Sequence, residues 1–342
     1  MDEKIIDELE ITIAEAGFVT AHPELHHYTS FEGLAGIYQS NTMRATHFTN
    51  LNDSTEVILF REPLTAELIK RFSALIRERQ KRDRGVLLRV FKAGGVEYVS
   101  TNLAKGLANS LYQVTFEGGT SYEFCETYIA SYCAHSDQPY ESENGLLSQW
   151  RGYGTGGGFC IVFDTARLIS MLAEEFDNWH YVRINIDSVH YAVDGEPPSS
   201  FFSGLIDCCE TILTEVLNGN MEPSATDAFL PFVRGATLYK HQGFREEREV
   251  RVVAMPGSQE LQSHVNAALG KTDSRPGKNV TVIEDERGKR SYISLFDGLK
   301  SELPIKRVIV GPSKNQDRNF KLAATLLPKS LRVTKSATPF MG

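Results

Sequence analysis

The ten residues Phe244-Arg245-Glu246-Glu247-Arg248-Glu249-Val250-Arg251-Val252-Val253 constrain the fold more than any other stretch. Val250 and Val252 alternate with Glu247, Glu249 and Arg251, a two-residue period that puts the three charges on one face of a strand and the valines on the other. Such a strand needs an apolar core beneath it. Carboxylates two residues apart on a strand stand side by side and compete, so one holds its proton more tightly unless a cation such as Arg251 compensates. The same alternation also suits a half-exposed edge strand whose charges are merely solvated, so the rest of the chain must decide between a site and a surface.

At 342 residues the chain is long enough to bury a sizeable core, and no stretch approaches the roughly 20 apolar residues of a membrane-spanning helix. Its acidic start, Met1-Asp2-Glu3-Lys4, does not have the layout of a secretion signal, so a cytoplasmic protein with no membrane partner is expected. The five cysteines, Cys125, Cys133, Cys160, Cys208 and Cys209, form no Cys-x-x-Cys pair and signal neither a disulfide framework nor a zinc knuckle. A net charge of −8 argues against coating nucleic acid by bulk charge. One local exception stands out. Lys70, Arg71, Arg77, Arg79, Lys81, Arg82, Arg84, Arg89 and Lys92 face only Glu78 and Asp83 in their own segment, a density that would suit nucleic-acid phosphates or, equally, a solvated helix face.

Taken in order, the chain predicts an amphipathic helix over 1–20, then a strand at Leu25-His26-His27-Tyr28-Thr29-Ser30 whose Thr29 or Ser30 caps a helix containing Leu34, Ile37 and Tyr38. A second strand follows at 43–48, and residues 57–125 read as a helical, basic insertion. Strands are expected at 128–134, 159–163 and 189–193, and helices at 165–175, 201–217 and 225–239. Residues 261–279 read as loop, 280–295 as a hairpin, and 305–312 as a last strand before a final helix. Between two of the strands, Leu147 to Gly158 carries Trp150, Arg151 and Tyr153 ahead of a glycine run, which would let backbone approach a flat ligand while a ring stacks on it, or would form a plain turn anchored by the Trp. Strands mixed irregularly with helices point to a single α+β domain over 1–342.

Five pieces of the chain together carry a family likeness. They are His27-Tyr28-Thr29-Ser30 with Gly33-Leu34 and Gly36-Ile37; Asn52-Asp53-Ser54-Thr55-Glu56; Trp150-Arg151-Gly152-Tyr153-Gly154; Gly243 to Arg251; and Val308-Ile309-Val310-Gly311-Pro312. The set resembles the bacterial domain-of-unknown-function family 2971. A first-strand histidine followed by Thr or Ser and a Gly-Leu-x-x-Ile helix, with a glutamate on a late strand, is more remotely similar to ADP-ribosyltransferases. That resemblance implies a split, mostly antiparallel sheet with helical insertions that binds NAD in its cleft. It implies that His27 holds the adenosine ribose and shares in the catalytic set, that the Thr29 region helps hold the nicotinamide amide, that Trp150 or Tyr153 stacks on nicotinamide, and that Tyr28, Thr46 and Arg151 also bind NAD. Glu249, with Glu247 as its upstream partner, would be catalytic. The acceptor would be a macromolecule, such as a nucleic acid contacted by Lys70 to Lys92, in a toxin or phage-defence setting where an antitoxin or other partner protein binds.

Cleavage of the nicotinamide glycosidic bond builds positive charge on the ribose, and a carboxylate near the 2′-hydroxyl stabilises that oxocarbenium-like state. A second carboxylate could deprotonate the incoming nucleophile. Two other readings stay open. In one, Asp164, Glu247 and Glu249 hold magnesium in a nuclease. In the other, the chain is a non-catalytic module for a nucleotide or a partner protein.

Overall fold

A computed structural model describes residues 13–15, 17–51, 56–117, 126–135, 138–153, 157–193, 195–220, 223–270, 272–285 and 288–339. The strands are β1 Glu24–Thr29, β2 Met43–His47, β3 Tyr128–Cys133, β4 Phe159–Asp164, β5 Tyr181–Ser188, β6 His190–Tyr191, β7 Tyr239–Lys240, β8 Glu249–Pro256, β9 Val280–Asp285, β10 Gly288–Leu295, β11 Ile305–Val310 and β12 Arg332–Lys335. The chain divides into two compact units, one formed by 1–9, 52–126 and 190–242 and the other by 10–51, 127–189 and 243–342. The helices expected within 57–125 fall in the first unit, which also draws on 190–242. Most of the helix expected over 1–20 lies outside the described residues, and only Phe18–Ala21 is helical there.

The second unit is built on an open sheet of ten strands among the described residues, running β12-β11-β4-β1-β3-β2-β10-β9, with β8 added on β3 and β5 on β8. Every pairing is antiparallel except β11 with β12. One face carries the main core, with Leu25, Tyr128, Ala130, Tyr132, Ile161, Phe163, Ile184, Ile186, Val250 and Val252 buried together. These positions repeat every second residue, as a pleated strand requires. The helix Thr165–Asn178 lays Leu168, Met171 and Leu172 on that core, its first turn capped by the Asp164 carboxylate accepting from the Arg167 N–H at 3.0 Å. Ser30, one of the two expected caps, accepts from the Gly33 N–H at 3.2 Å.

Around β3 the sheet is uneven. β8 pairs with the whole of β3 along one edge. On the other edge β2 meets only Tyr128 and Ile129, and β1 meets only Cys133. Residues 130–132 are therefore left without a ladder partner on that side.

The opposite face of β1 and β4 is closed by a smaller cluster of Tyr28, Cys133, Leu146, Trp150, Cys160, Val162 and Ile309. Trp150 is its wedge, only 1 % exposed, with its indole N–H donating to the Asn144 carbonyl at 2.9 Å and its ring meeting Tyr28 edge-on at 4.7 Å. Two glycines make room for it. A Cβ at Gly145 would come within 2.7 Å of the indole, and one at Gly311 within 2.8 Å.

Three expectations need correcting. Residues Leu147–Tyr153 are helix rather than an aromatic loop, because Leu146 and Trp150 sit one turn apart and both reach the core. Gln259–Leu269 is helix where a polar loop was expected. The glutamate strand begins only at Glu249, since Gln242–Glu247 coil into a 3-10 turn. Strands β5 and β12 are additions that the sequence reading did not contain.

The first unit is helical. Arg61–Arg82 and Val96–Tyr112 bury Leu64, Leu68, Phe72, Ile76, Ala104, Ala108 and Leu111, and β6 pairs in parallel with β7. Asp83 caps the short helix Arg84–Lys92 through the Gly85 and Val86 N–H groups.

The fit around Trp150 yields a prediction. Gly311→Ala should lower stability by about 1–3 kcal/mol, because the new methyl overpacks the indole, and urea unfolding followed by tryptophan fluorescence would measure it.

Candidate functional site

Glu249 and Arg251 lie on the face of β8 away from the main core, as the two-residue period requires. Both are buried, at 7 % and 2 % exposed. The Arg251 Nε and Nη2 donate to the two carboxylate oxygens of Glu249 at 2.8 and 2.9 Å, a bidentate pair within one strand. Asp187, also buried, stands opposite Arg251 in the β5 register, so the guanidinium has carboxylates beside it on its own strand and the next. The turn into β8 is strained: Arg248 adopts φ +44°, uncommon for a residue with a side chain. Its guanidinium is held by Glu141, and its carbonyl accepts from the Ala134 N–H at 2.9 Å. Glu247 does not share the face of Glu249, because it belongs to the 3-10 turn before the strand. The expected row of three charges is thus reduced to Glu249 and Arg251.

Register identifies what else faces Glu249. Glu249 pairs with Cys133, and Cys133 pairs with His26, so the three form one row across β8, β3 and β1. His26 is 2 % exposed and stacks on His135 with ring centroids 3.4 Å apart. Neither ring nitrogen of His26 has a partner in hydrogen-bond geometry, although the Cys133 backbone lies close enough to favour the charged form. Burial first, then the neighbouring His135 and Arg307, hold His26 well below the usual imidazole range. His135 is pushed down to about 4, chiefly by burial and against the pull of Glu141. Both rings are neutral near pH 7. The His135 Nε2 and the Tyr28 hydroxyl lie 2.8 Å apart, and that hydroxyl accepts from the Leu146 N–H.

His27 points the other way. Its ring meets Tyr132, a residue of the main core, and its Nδ1–H donates to the Ser131 carbonyl at 3.0 Å. That carbonyl sits in the part of β3 that neither β1 nor β2 covers, so the imidazole supplies a hydrogen bond the ladder lacks. Burial lowers its pKa. The expected partnership of His27 with Glu249 is therefore corrected: the sheet lies between them, and the histidine in Glu249's row is His26.

The remaining expected residues are also divided. Thr29 shares the face of His27, and a Cβ on Gly33 would strike its hydroxyl, so Thr29 is packed against the helix that follows. Thr46 pairs with Ile129 on the Glu249 side of the sheet. Tyr28 and Trp150 are core residues held by the hydrogen bonds described, and neither presents a free ring face for nicotinamide; this corrects the stacking role expected of Trp150. Arg151 and Tyr153 are exposed, on the outer side of the same helix. Asp164 caps a helix, and among the described residues no three His, Cys, Asp or Glu side chains cluster as a metal would need.

In the helical unit most of the basic stretch is matched by acids or carbonyls. Arg71 pairs with Glu67 and Glu210, Arg77 with Glu97, and Lys81 and Arg82 with Glu78. Arg79 donates to Asn218, and Arg89 to the Leu217 carbonyl at 2.9 Å. Among the described residues no helix is long and apolar enough to cross a membrane.

Residues 149–252 match a family described as Protein of unknown function (DUF2971). The matched span opens beside Trp150 and ends just past Arg251, so it takes in the indole wedge, β4, β5 and the buried ion pair. No curated protein and no solved structure matches the chain.

His26, His135 and Asp187 are the residues that the sequence reading passed over. Asp187 was legible in principle, since Ile184 and Ile186 alternate with Asn185 and Asp187. The selection of His26 over His27 needed the register of β3.

Two predictions follow from this geometry. Glu249→Ala, which removes the bidentate acceptor of the buried Arg251 guanidinium, should cost up to about 3–5 kcal/mol, while Glu249→Leu with Arg251→Met should recover most of that loss in chemical denaturation. The His135 imidazole titrates near 4 in the folded chain and near 6.5 unfolded, so the unfolded state binds more protons between those values. Stability should therefore fall as pH drops from 6.5 toward 4, and His135→Gln should flatten that part of a Tm-against-pH curve.

Proposed function

We propose that the chain is an ADP-ribosyltransferase-like enzyme that takes NAD as substrate and passes ADP-ribose to a macromolecular acceptor, with its chemistry on the Glu249 face of the sheet. The observation that carries this reading is the buried His26 imidazole, whose ring nitrogens lack hydrogen-bond partners, in the same cross-strand row as Glu249. Buried polar groups are ordinarily satisfied, and one that is not is a place for a ligand's polar atom. A neutral imidazole can both donate to and accept from a ribose hydroxyl.

In this reading the bond between the ribose C1′ and the nicotinamide nitrogen breaks, with the electron pair leaving on nicotinamide. Glu249, held in place by Arg251, stabilises the sugar cation, and the acceptor's nucleophile then bonds to C1′ and gives its proton to solvent. His26 takes the positioning role first expected of His27. Entry of the sugar requires the His135 ring to move off His26. The preceding acid, Glu247, is outside this row and is given no role.

The test is release of labelled nicotinamide from NAD in the presence of bacterial RNA, DNA and protein. Glu249→Gln, which keeps a side-chain oxygen for Arg251, should reduce release by about 10²–10³-fold. His26→Gln should raise KM, and His27→Gln should act on stability alone. Equal release by wild type and Glu249→Gln would exclude the mechanism. ADP-ribose binding without turnover, seen by calorimetry, would favour a non-catalytic nucleotide module instead.

A further inference from the structure

The helix Arg84–Lys92 has two apolar faces, and one of them has no cover. Val86 and Val90 are buried in the helical unit, while Leu87 and Leu88 are 44 % and 50 % exposed and Phe91 is 78 % exposed. Spacing of one and four residues groups Leu87, Leu88 and Phe91 on a single outward arc. Tyr98 is 61 % exposed, and its ring lies against Gly94, just beyond the helix end. Three large apolar side chains on nine residues exceed the scattered exposure normal for a surface.

The segment that carries the patch is cationic. The segment 70–92 carries nine Lys or Arg against Glu78 and Asp83, within a chain of net charge −8. Most of these cations are paired, as described above. Among the described residues Arg84 at the start of the helix and Lys92 at its end have no ion pair, and Lys81 and Arg82 share the single carboxylate of Glu78. Positive charge thus brackets an exposed Leu-Leu-Phe arc at both ends.

We propose that this face docks on an anionic lipid surface, with Leu87, Leu88 and Phe91 entering the headgroup boundary and Arg84 and Lys92 meeting the lipid phosphates. A second copy of the chain is a poor occupant, since the two cationic segments would face each other. A convex helix needs a matching groove on a protein partner, whereas a bilayer boundary needs only apolar insertion and opposite charge. The expectation of no membrane partner rested on spanning segments, and docking of this kind crosses nothing. It is also independent of the chemistry proposed for Glu249.

Cosedimentation of the full chain with vesicles tests it. Binding should occur on phosphatidylglycerol-containing vesicles, be weak on phosphatidylcholine alone, and fall with added salt. Phe91→Ser should weaken it by roughly tenfold, and Arg84→Gln with Lys92→Gln by several-fold each, with the circular dichroism spectrum unchanged. No binding to anionic vesicles, or equal binding by wild type and a Leu88→Ser, Phe91→Ser double variant, overturns the proposal. So does a result in which that variant converts an oligomer to a monomer in light scattering and vesicle binding is absent, because the face is then a protein contact.

Discussion

Side chains on a strand alternate between two faces, and in this sheet that alternation decides which groups can act together. The row of Glu249, Cys133 and His26 is fixed by register across three neighbouring strands. One residue away, His27, Tyr132 and Val250 face the opposite side of the sheet, where Tyr132 and Val250 belong to the main core. No side-chain rotation moves a group from one row to the other. The sheet therefore separates two imidazoles adjacent in sequence into different chemical surroundings: one is bonded and completes the ladder, and the other is buried with neither ring nitrogen in hydrogen-bond geometry among the described residues.

Ionic groups are taken out of water with different supports at the Glu249–Arg251 pair and at the Glu175–Lys278 pair. Glu249 and Arg251 meet as a bidentate pair on one strand. Glu175, fully buried on the core side, approaches Lys278 at 2.6 Å, accepts from the Tyr181 hydroxyl at 2.7 Å and from the Phe296 N–H at 2.9 Å. The Lys278 ammonium also lies over the Trp179 ring, 4.2 Å from its centre, and burial lowers its pKa. Glu175 ties a helix, a strand and a loop together through neutral donors as well as a cation, which is the pattern of a structural support. The pair on β8 stands instead in the same cross-strand row as the His26 imidazole.

Much of the sheet was legible because its strands are short, apolar and bounded by polar turns. The runs at 128–134 and 159–163 and the capped helix after Ser30 follow from local chemistry alone. The site was less legible. Glu249 and Arg251 could be placed on one face from their spacing, but the start of their strand could not, because Arg248 turns the backbone at φ +44° where alternation alone continues straight through Glu247. Trp150 reads equally well as a ligand platform or a core wedge until its surroundings are known. The deciding facts, the clearance at Gly145 and Gly311 and the carbonyl of Asn144, come from residues distant in sequence or in another element. Spacing does not single out His26 for the same reason, since only long-range register puts it opposite Cys133.

The bend at Arg248 also acts as a phase setter for everything downstream. With Glu249 as the first residue of β8, Glu249 and Arg251 turn to one surface and Val250 and Val252 to the other. Loss or gain of a single residue in the coil before it would leave the composition of the strand nearly unchanged and yet invert it, driving a carboxylate and a guanidinium into the oil and turning Val250 and Val252 outward. A one-residue insertion or deletion between Gly243 and Arg248 should therefore be tolerated poorly by this strand.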